Sequence, residues 1–233
     1  MPRPFQLACL LFLCAVLSHS QTEPAPVVTF TVDFPTSQPE HYSIRVQSDG
    51  PARYQSSGRP PADSDKTDSH DNDSQDNDSH DNDSFDLDFT LAADTRQKIF
   101  ELAAKAGYFR KDVDSHHKGL AFTGKKTLSY KDARRSGEST YNYSPNPAVQ
   151  ELTDLLQNLS ATLEFGHRLQ YDHRYQKLAL DEELKRMEEM ARTHQLTEVA
   201  AIQPILDEII ADQSVINVTR ARAQRLLDRA AAH

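Results

Sequence analysis

The chain has 233 residues, 37% of them hydrophobic and none tryptophan, and a formal net charge of −9. Eleven aspartates and one lysine between Asp63 and Asp88 carry that charge, so the remainder sums to about +1. A near-neutral folded part lacks the basic footprint of a nucleic-acid binder, and the low hydrophobic content predicts a small core with much solvated surface.

The N-terminus reads as an export signal. Arg3 supplies a positive start, Phe5 to Leu17 is an apolar run interrupted only by Gln6, and Ser18 and Ser20 stand where a signal peptidase reads small residues. The run is short for a membrane span, so the expectation is a signal peptide over 1–20 with cleavage after Ser20. Both cysteines, Cys9 and Cys14, fall inside it. The remaining chain, 21–233, is then free of thiols, which excludes disulfides, cysteine metal sites and a thiol nucleophile. No later stretch approaches the length of a membrane helix, and the predicted location is the periplasm or the cell exterior.

After a short lead-in, the region 27–144 reads as an α+β domain containing a disordered acidic insert over 61–84, and 145–233 as a helical C-terminal region. Val28, Phe30, Val32 and Phe34 alternate with Thr29, Thr31 and Asp33, the period of a half-buried strand. Tyr42, Ile44 and Val46 repeat the pattern, and Asp49-Gly50 suits a tight hairpin turn into a return strand through Ala52 and Tyr54. Phe85, Leu87 and Phe89 alternate with Asp86 and Asp88, so the acidic tract runs into a strand. A first helix is predicted from a Thr90 cap, with Ile99, Leu102, Ala103 and Ala106 on one face and Gly107 as its left-handed stop. A hairpin follows from Thr127–Tyr130 to Tyr141–Tyr143, turning near Ser136-Gly137.

Asn146 as cap and Pro147 at the first helical position open a second helix. Its stripe of Val149, Leu152, Leu156, Leu159 and Leu163 advances by three and four residues, as an amphipathic helix requires. Gly166 is expected to break it. Leu180, Leu184, Met187 and Ala191 define a narrower stripe. Val199, Ile202, Leu206 and Ile209 define another, with Pro204 bending or delaying the helix. Ser214 is the expected cap of the last helix, which carries Ala223, Leu226 and Leu227, and the closing pair reads as a helical hairpin packed on the domain as a lid or clasp. The predicted fold class is therefore α+β: a small antiparallel sheet packed with one or two helices, followed by a C-terminal helical extension.

From Asp68 to Asn82 the chain repeats Asp-Ser-(His/Gln)-Asp-Asn three times. With no apolar residue before Phe85, the tract cannot offset the entropy of ordering its own backbone, and the reading is an expanded insertion. The alternative is cation binding. Frames starting at Asp71 or Asp73 lack the Gly and Glu of a calcium-binding helical-hand loop, which leaves weak, diffuse divalent-cation association. His70 and His80 on a mobile chain would be weak, unselective transition-metal ligands.

Catalytic signatures are missing. There is no nucleophile elbow, no phosphate-cradling glycine loop and no paired-histidine zinc helix. No catalytic, cofactor-binding or metal-ligating residue is assigned, and no cofactor is expected. Asp114, His116 and His117 form the one compact polar cluster outside the repeat and are the best candidates for a competing reading as an enzyme with an unrecognised site. His167 and His173, with Arg168, Asp172 and Arg174, read as an exposed salt-bridged face. Arg220, Arg222, Arg225 and Arg229 make the last helix basic, a solvated face or a docking point for the acidic tract or an anionic partner. Tyr141 and Tyr143 read as packing residues. Glycosylation triplets occur at Asn72, Asn77, Asn82, Asn158 and Asn217.

Tyr42-Ser43-Ile44-Arg45-Val46 leading to Asp49-Gly50 and Tyr54, a helix ending Ala106-Gly107-Tyr108-Phe109, the 127–143 hairpin and a Leu-rich helix together resemble a family of small secreted bacterial α+β domains of unknown function. The resemblance runs from Tyr42 to Leu159 without the insert, about half of the exported chain. Members often carry a cysteine-containing segment before the first hairpin, where this chain has Phe34-Pro35-Thr36-Ser37-Gln38. The resemblance implies an α+β fold and export and supplies no activity. Together these readings describe an exported soluble binding or envelope-associated module. Its partner would be an unidentified protein or envelope component, with a cation-responsive protein or an enzyme as the alternatives.

Overall fold

Alternating apolar and polar residues build six strands: β1 Val27–Asp33, β2 His41–Gln47, β3 Pro51–Gly58, β4 Asp83–Thr90, β5 Lys125–Lys131 and β6 Ser136–Tyr141. The computed structural model describes residues 23–35, 37–58 and 83–231; the leader and the Asp-rich repeat lie outside them. All strands join one antiparallel sheet in the order β4-β3-β2-β1-β5-β6. Five α-helices follow or interrupt them: α1 Ala93–Lys105, α2 Pro147–Tyr175, α3 Leu180–Arg192, α4 Gln203–Ala211 and α5 Asn217–Ala231. The fold is α+β with C-terminal helices, as the patterning predicts.

The odd-even register decides which side of the sheet is core. Phe30, Ile44, Tyr54 and Leu128 are fully buried on one face. There they meet Ile99, Leu102 and Ala103 of α1 and the Leu152, Leu156, Leu159 and Leu163 stripe of α2, in one contiguous core. The helices α3 and α4 pack on α2, and α5 packs on both of them, adding Leu184, Met187, Leu206, Ile209 and Leu226 to that core. Sheet, inner helices and outer helices thus form three layers, and among the described residues no helix lies on the sheet's second face.

A polar seam holds α2 in register on the sheet. Tyr141 bonds Thr153, and Tyr42 lies within reach of Gln157 and Ser160. The Tyr54 hydroxyl lies 2.9 Å from Ser160 Oγ and donates to Glu164 Oε1 at 2.7 Å, and Ser56 donates to the same oxygen at 2.6 Å. Residues 153, 157, 160 and 164 advance by four, three and four, a stripe one step round the helix from the leucines. Burial pushes the ionisation of Tyr42, Tyr54 and Tyr141 above the ordinary phenol range. Each phenol therefore stays a neutral partner for the helix, and a satisfied buried network of this kind specifies one docking of α2.

Several local expectations are corrected. Gly166 does not break α2, which runs unbroken to Tyr175. A Cβ there would stand 2.5 Å from Ile202 Cγ2, so the glycine lets the turn before α4 approach the helix. Thr90 closes β4 and does not cap α1, which starts after Ala92 without a side-chain cap. The second hairpin turns at residues 132–135, ahead of Ser136-Gly137, which open β6. Asp132 makes that turn: its carboxylate accepts the Arg134 N–H at 2.8 Å, the Tyr130 hydroxyl at 2.8 Å and the Arg135 N–H at 2.6 Å. These donors, the Arg134 amide first, hold its carboxyl down at about 2. Ser214 does not cap α5, which begins three residues later at Asn217; its hydroxyl turns back to Asp212 at 2.7 Å.

Other expectations match. Gly107 ends α1 with φ +67°, the Asn146 side chain accepts the Ala148 N–H at 3.0 Å, and Pro204 stands in the first turn of α4 after a short 3₁₀ turn over Val199–Ile202.

Candidate functional site

Among the described residues, the outward parity of the strands leaves one face of the sheet uncovered. Strand register aligns its side chains in rows that cross all six strands. One row reads Glu138, Ser129, Thr29, Arg45, Arg53, Asp88. The next reads Thr140, Thr127, Thr31, Ser43, Gln55, Asp86. Ser129 and Thr29 in the first row and Thr127, Thr31 and Ser43 in the second are short hydroxyl side chains, Arg45 and Arg53 stand beside them in the first, and Glu138, Asp86 and Asp88 are on the edge strands. Neighbouring strands are about 4.8 Å apart, so the face is roughly 24 Å wide across the six.

Arg45 and Arg53 are directly opposite one another on β2 and β3. Arg53 is held by Asp86, reaches Asp88 at 3.8 Å, and its charge is favoured chiefly by the Asp86 contact. Arg45 is exposed and has no carboxylate partner among the described residues. Like charges placed opposite on neighbouring strands cost roughly 0.2–1 kcal/mol. The pair lies in an open groove of about 680 Å³, bordered by Gln47, Gln55, Asp88 and Thr90. Two amides, a hydroxyl and a guanidinium with spare donors line the groove, beside the Asp88 carboxylate. It has no nucleophile–base pair, and the groove is too open to exclude water from a reaction.

The candidates named from sequence are only partly brought together. His116 is clasped between Asp112 (2.7 Å) and Asp114 (3.1 Å). Asp114 also accepts the Asn142 N–H at 3.2 Å, fastening the loop to the end of β6. His117 turns away and accepts the Gly119 N–H at 3.2 Å. The cluster is an exposed loop clasp, and no group of three or more potential ligands among the described residues could hold a metal ion.

The two α2 histidines are not simply exposed. His167 stacks on Phe85 with ring centroids 4.3 Å apart, and His173 lies 3.0 Å from Asp212. Asp172, expected on the same solvated face, is buried, and that burial raises its carboxyl above the usual range. Of the α5 arginines, Arg222 reaches Asp181 and Glu188, Arg225 reaches Glu188 and Arg220 reaches Asn217. Arg229 and Arg192 border a smaller groove of about 380 Å³ between α3 and α5. Each sits in the last turn of its helix, where the helix dipole already favours a cation. The dipole accounts for those two arginines but not for Lys185, which borders the same groove from the middle of α3.

Tyr141 is buried as expected, whereas Tyr143 is 46% exposed and its hydroxyl accepts a bond from Gln150. Asn158 is half-buried on α2, where its amide donates to the His194 carbonyl, while Asn217 is exposed at the start of α5. Asn72, Asn77, Asn82, His70 and His80 lie outside the described residues, as does the whole question of cation association with the repeat.

No protein-family model matches the chain, and no curated protein is similar to it in sequence. Among the described residues no helix is long and apolar enough to cross a membrane.

Proposed function

We propose that the protein is an exported binding module whose recognition surface is the uncovered face of its sheet and whose ligand is anionic. The apolar leader with Ser18 and Ser20 supports export, to the periplasm or beyond, and an envelope component is the kind of partner such a module meets there. One observation carries the ligand's charge: Arg45 stands on an open face, directly opposite Arg53, with no carboxylate of its own among the described residues. An anion placed between the two guanidiniums removes their mutual repulsion and gains charge-assisted hydrogen bonds. The flanking Gln47 and Gln55 amides and the Thr90 hydroxyl supply further donors.

Calorimetry of residues 21–233 with inorganic pyrophosphate, a compact anion, tests the reading. Arg45→Gln removes the charge but keeps a polar side chain on an exposed strand position. It is expected to weaken pyrophosphate binding about tenfold, equivalent to roughly 1.4 kcal/mol, with the melting temperature unchanged or slightly raised. Equal binding by the variant, or no binding by the unaltered protein, would overturn the assignment.

A further inference from the structure

The face around Arg45 narrows the class of ligand. A protein partner needs an apolar centre with aromatic or aliphatic anchors, yet Val27 and Pro51 are the only apolar side chains of outward parity among the described strand residues. A nucleic acid needs a continuous basic surface, whereas Asp33, Asp86, Asp88 and Glu138 bring carboxylates to this one. A small metabolite needs a concave pocket that buries most of its surface. What the face offers is a floor of hydroxyls and an amide, from Thr140 and Thr127 through Thr31 and Ser43 to Gln55, with one pair of cations beside it.

Threonine suits a strand wherever it stands, so the floor is distinguished by the placement of its long side chains. Here the central positions of β1, β2 and β5 are Thr29, Thr31, Ser43, Thr127 and Ser129, all hydroxyl-bearing, with Arg45 as the exception. Lys125 and Lys131 stand at the two ends of β5, Glu138 on the β6 edge and Asp86 and Asp88 on the β4 edge, so charged side chains surround the floor. Thr127 and Thr140 share one hydrogen bond at 2.9 Å, which leaves further donor and acceptor capacity on both oxygens. The strand repeat of about 4.8 Å sets these groups at intervals comparable to the length of one sugar unit.

Resting on the anion-binding reading above, we propose that the ligand is an acidic polysaccharide, laid across the strands with its hydroxyls on the Thr/Ser floor and a carboxylate between Arg45 and Arg53. The single cation pair, flanked by carboxylates, suits a chain whose acidic sugars alternate with neutral ones and disfavours densely charged polymers.

The probe is an oligosaccharide of alternating glucuronate and N-acetylglucosamine, long enough at about six sugars to cross the sheet. Its carboxyl-reduced form and an oligoglutamate of matched charge serve as controls, all measured by calorimetry at one ionic strength. The acidic oligosaccharide is expected to bind at least about tenfold more tightly than either control. Thr31→Val together with Thr127→Val removes two floor hydroxyls while keeping shape and strand preference. The pair is expected to weaken oligosaccharide binding about tenfold and leave pyrophosphate binding unchanged. If oligoglutamate binds as well as the oligosaccharide, or the valine pair changes nothing while pyrophosphate still binds, the polysaccharide assignment fails and the anion site stands. If neither pyrophosphate nor oligosaccharide binds, both readings fall.

Discussion

Gly137→Ala is expected to destabilise the protein by about 3 kcal/mol, a large cost for the addition of one methyl group. A Cβ at this position would lie 2.2 Å from the Tyr108 carbonyl oxygen and 2.9 Å from the Arg110 amide nitrogen. Both obstacles are backbone, so no side-chain rotation relieves the clash. The close approach arises because the chain leaving α1 turns sharply at residues 107–109, with Tyr108 and Phe109 at φ 58° and 56°, and buries Phe109 completely. Tyr108 then lies 4.6 Å from Tyr130, and the Arg135 guanidinium covers it at 4.2 Å. Urea unfolding of the variant should show a midpoint well below that of the parent. An unaltered midpoint would mean that this turn does not lie against β6.

Ile99→Asp is expected to cost still more, about 4 kcal/mol, and to leave little folded protein at ambient temperature. Ile99 is fully buried where α1 meets the sheet. Buried Tyr130 and Lys126 do not offer it a charge partner, since Tyr130 donates to Asp132 and Lys126 donates to the Thr123, Gly124 and Asn142 carbonyls. The carboxylate must either stay buried without a partner or drag α1 off the sheet. Circular dichroism and thermal melting distinguish a cooperative loss of fold from a neutral change, and a parent-like melting curve would show that this face of α1 is not core.

The Ile99 face was legible because helix periodicity is a local property: 99, 102 and 103 fall on one side whatever the rest of the chain does. The same holds for the α2 leucines and for the alternation in β1, β2 and β4. The role of Gly166 is not legible, for the complementary reason. Locally a glycine inside a helix is a weak point, and only the arrival of Ile202, 36 residues later in the chain, explains why no side chain can stand there. Residue type alone predicts caps at Thr90 and Ser214, while the structure uses one in a strand and the other to hold Asp212.

The polar seam of α2 has a readable signal in the sequence. Thr153, Gln157, Ser160 and Glu164 share the helical spacing of the leucines, and Tyr42, Tyr54 and Tyr141 share the buried parity of their strands. Matching a polar helix stripe to inward tyrosines would have predicted the docking of α2. The candidate site was half legible. Parity alone places Thr29, Thr31, Ser43, Arg45 and Thr127 on one side of their strands, but that no helix covers them depends on where α1 to α5 pack. The opposition of Arg45 and Arg53 depends on the hairpin register through Asp49-Gly50.

Backbone amide chemical-shift mapping of residues 21–233, titrated with the alternating glucuronate oligosaccharide, tests the central claim most directly. The account predicts saturable shifts at Thr29, Thr31, Ser43, Arg45, Arg53 and Thr127, with the helices unaffected. Shifts confined to the groove between α3 and α5, around Lys185 and Arg229, would contradict it and move the binding surface to the opposite layer of the protein.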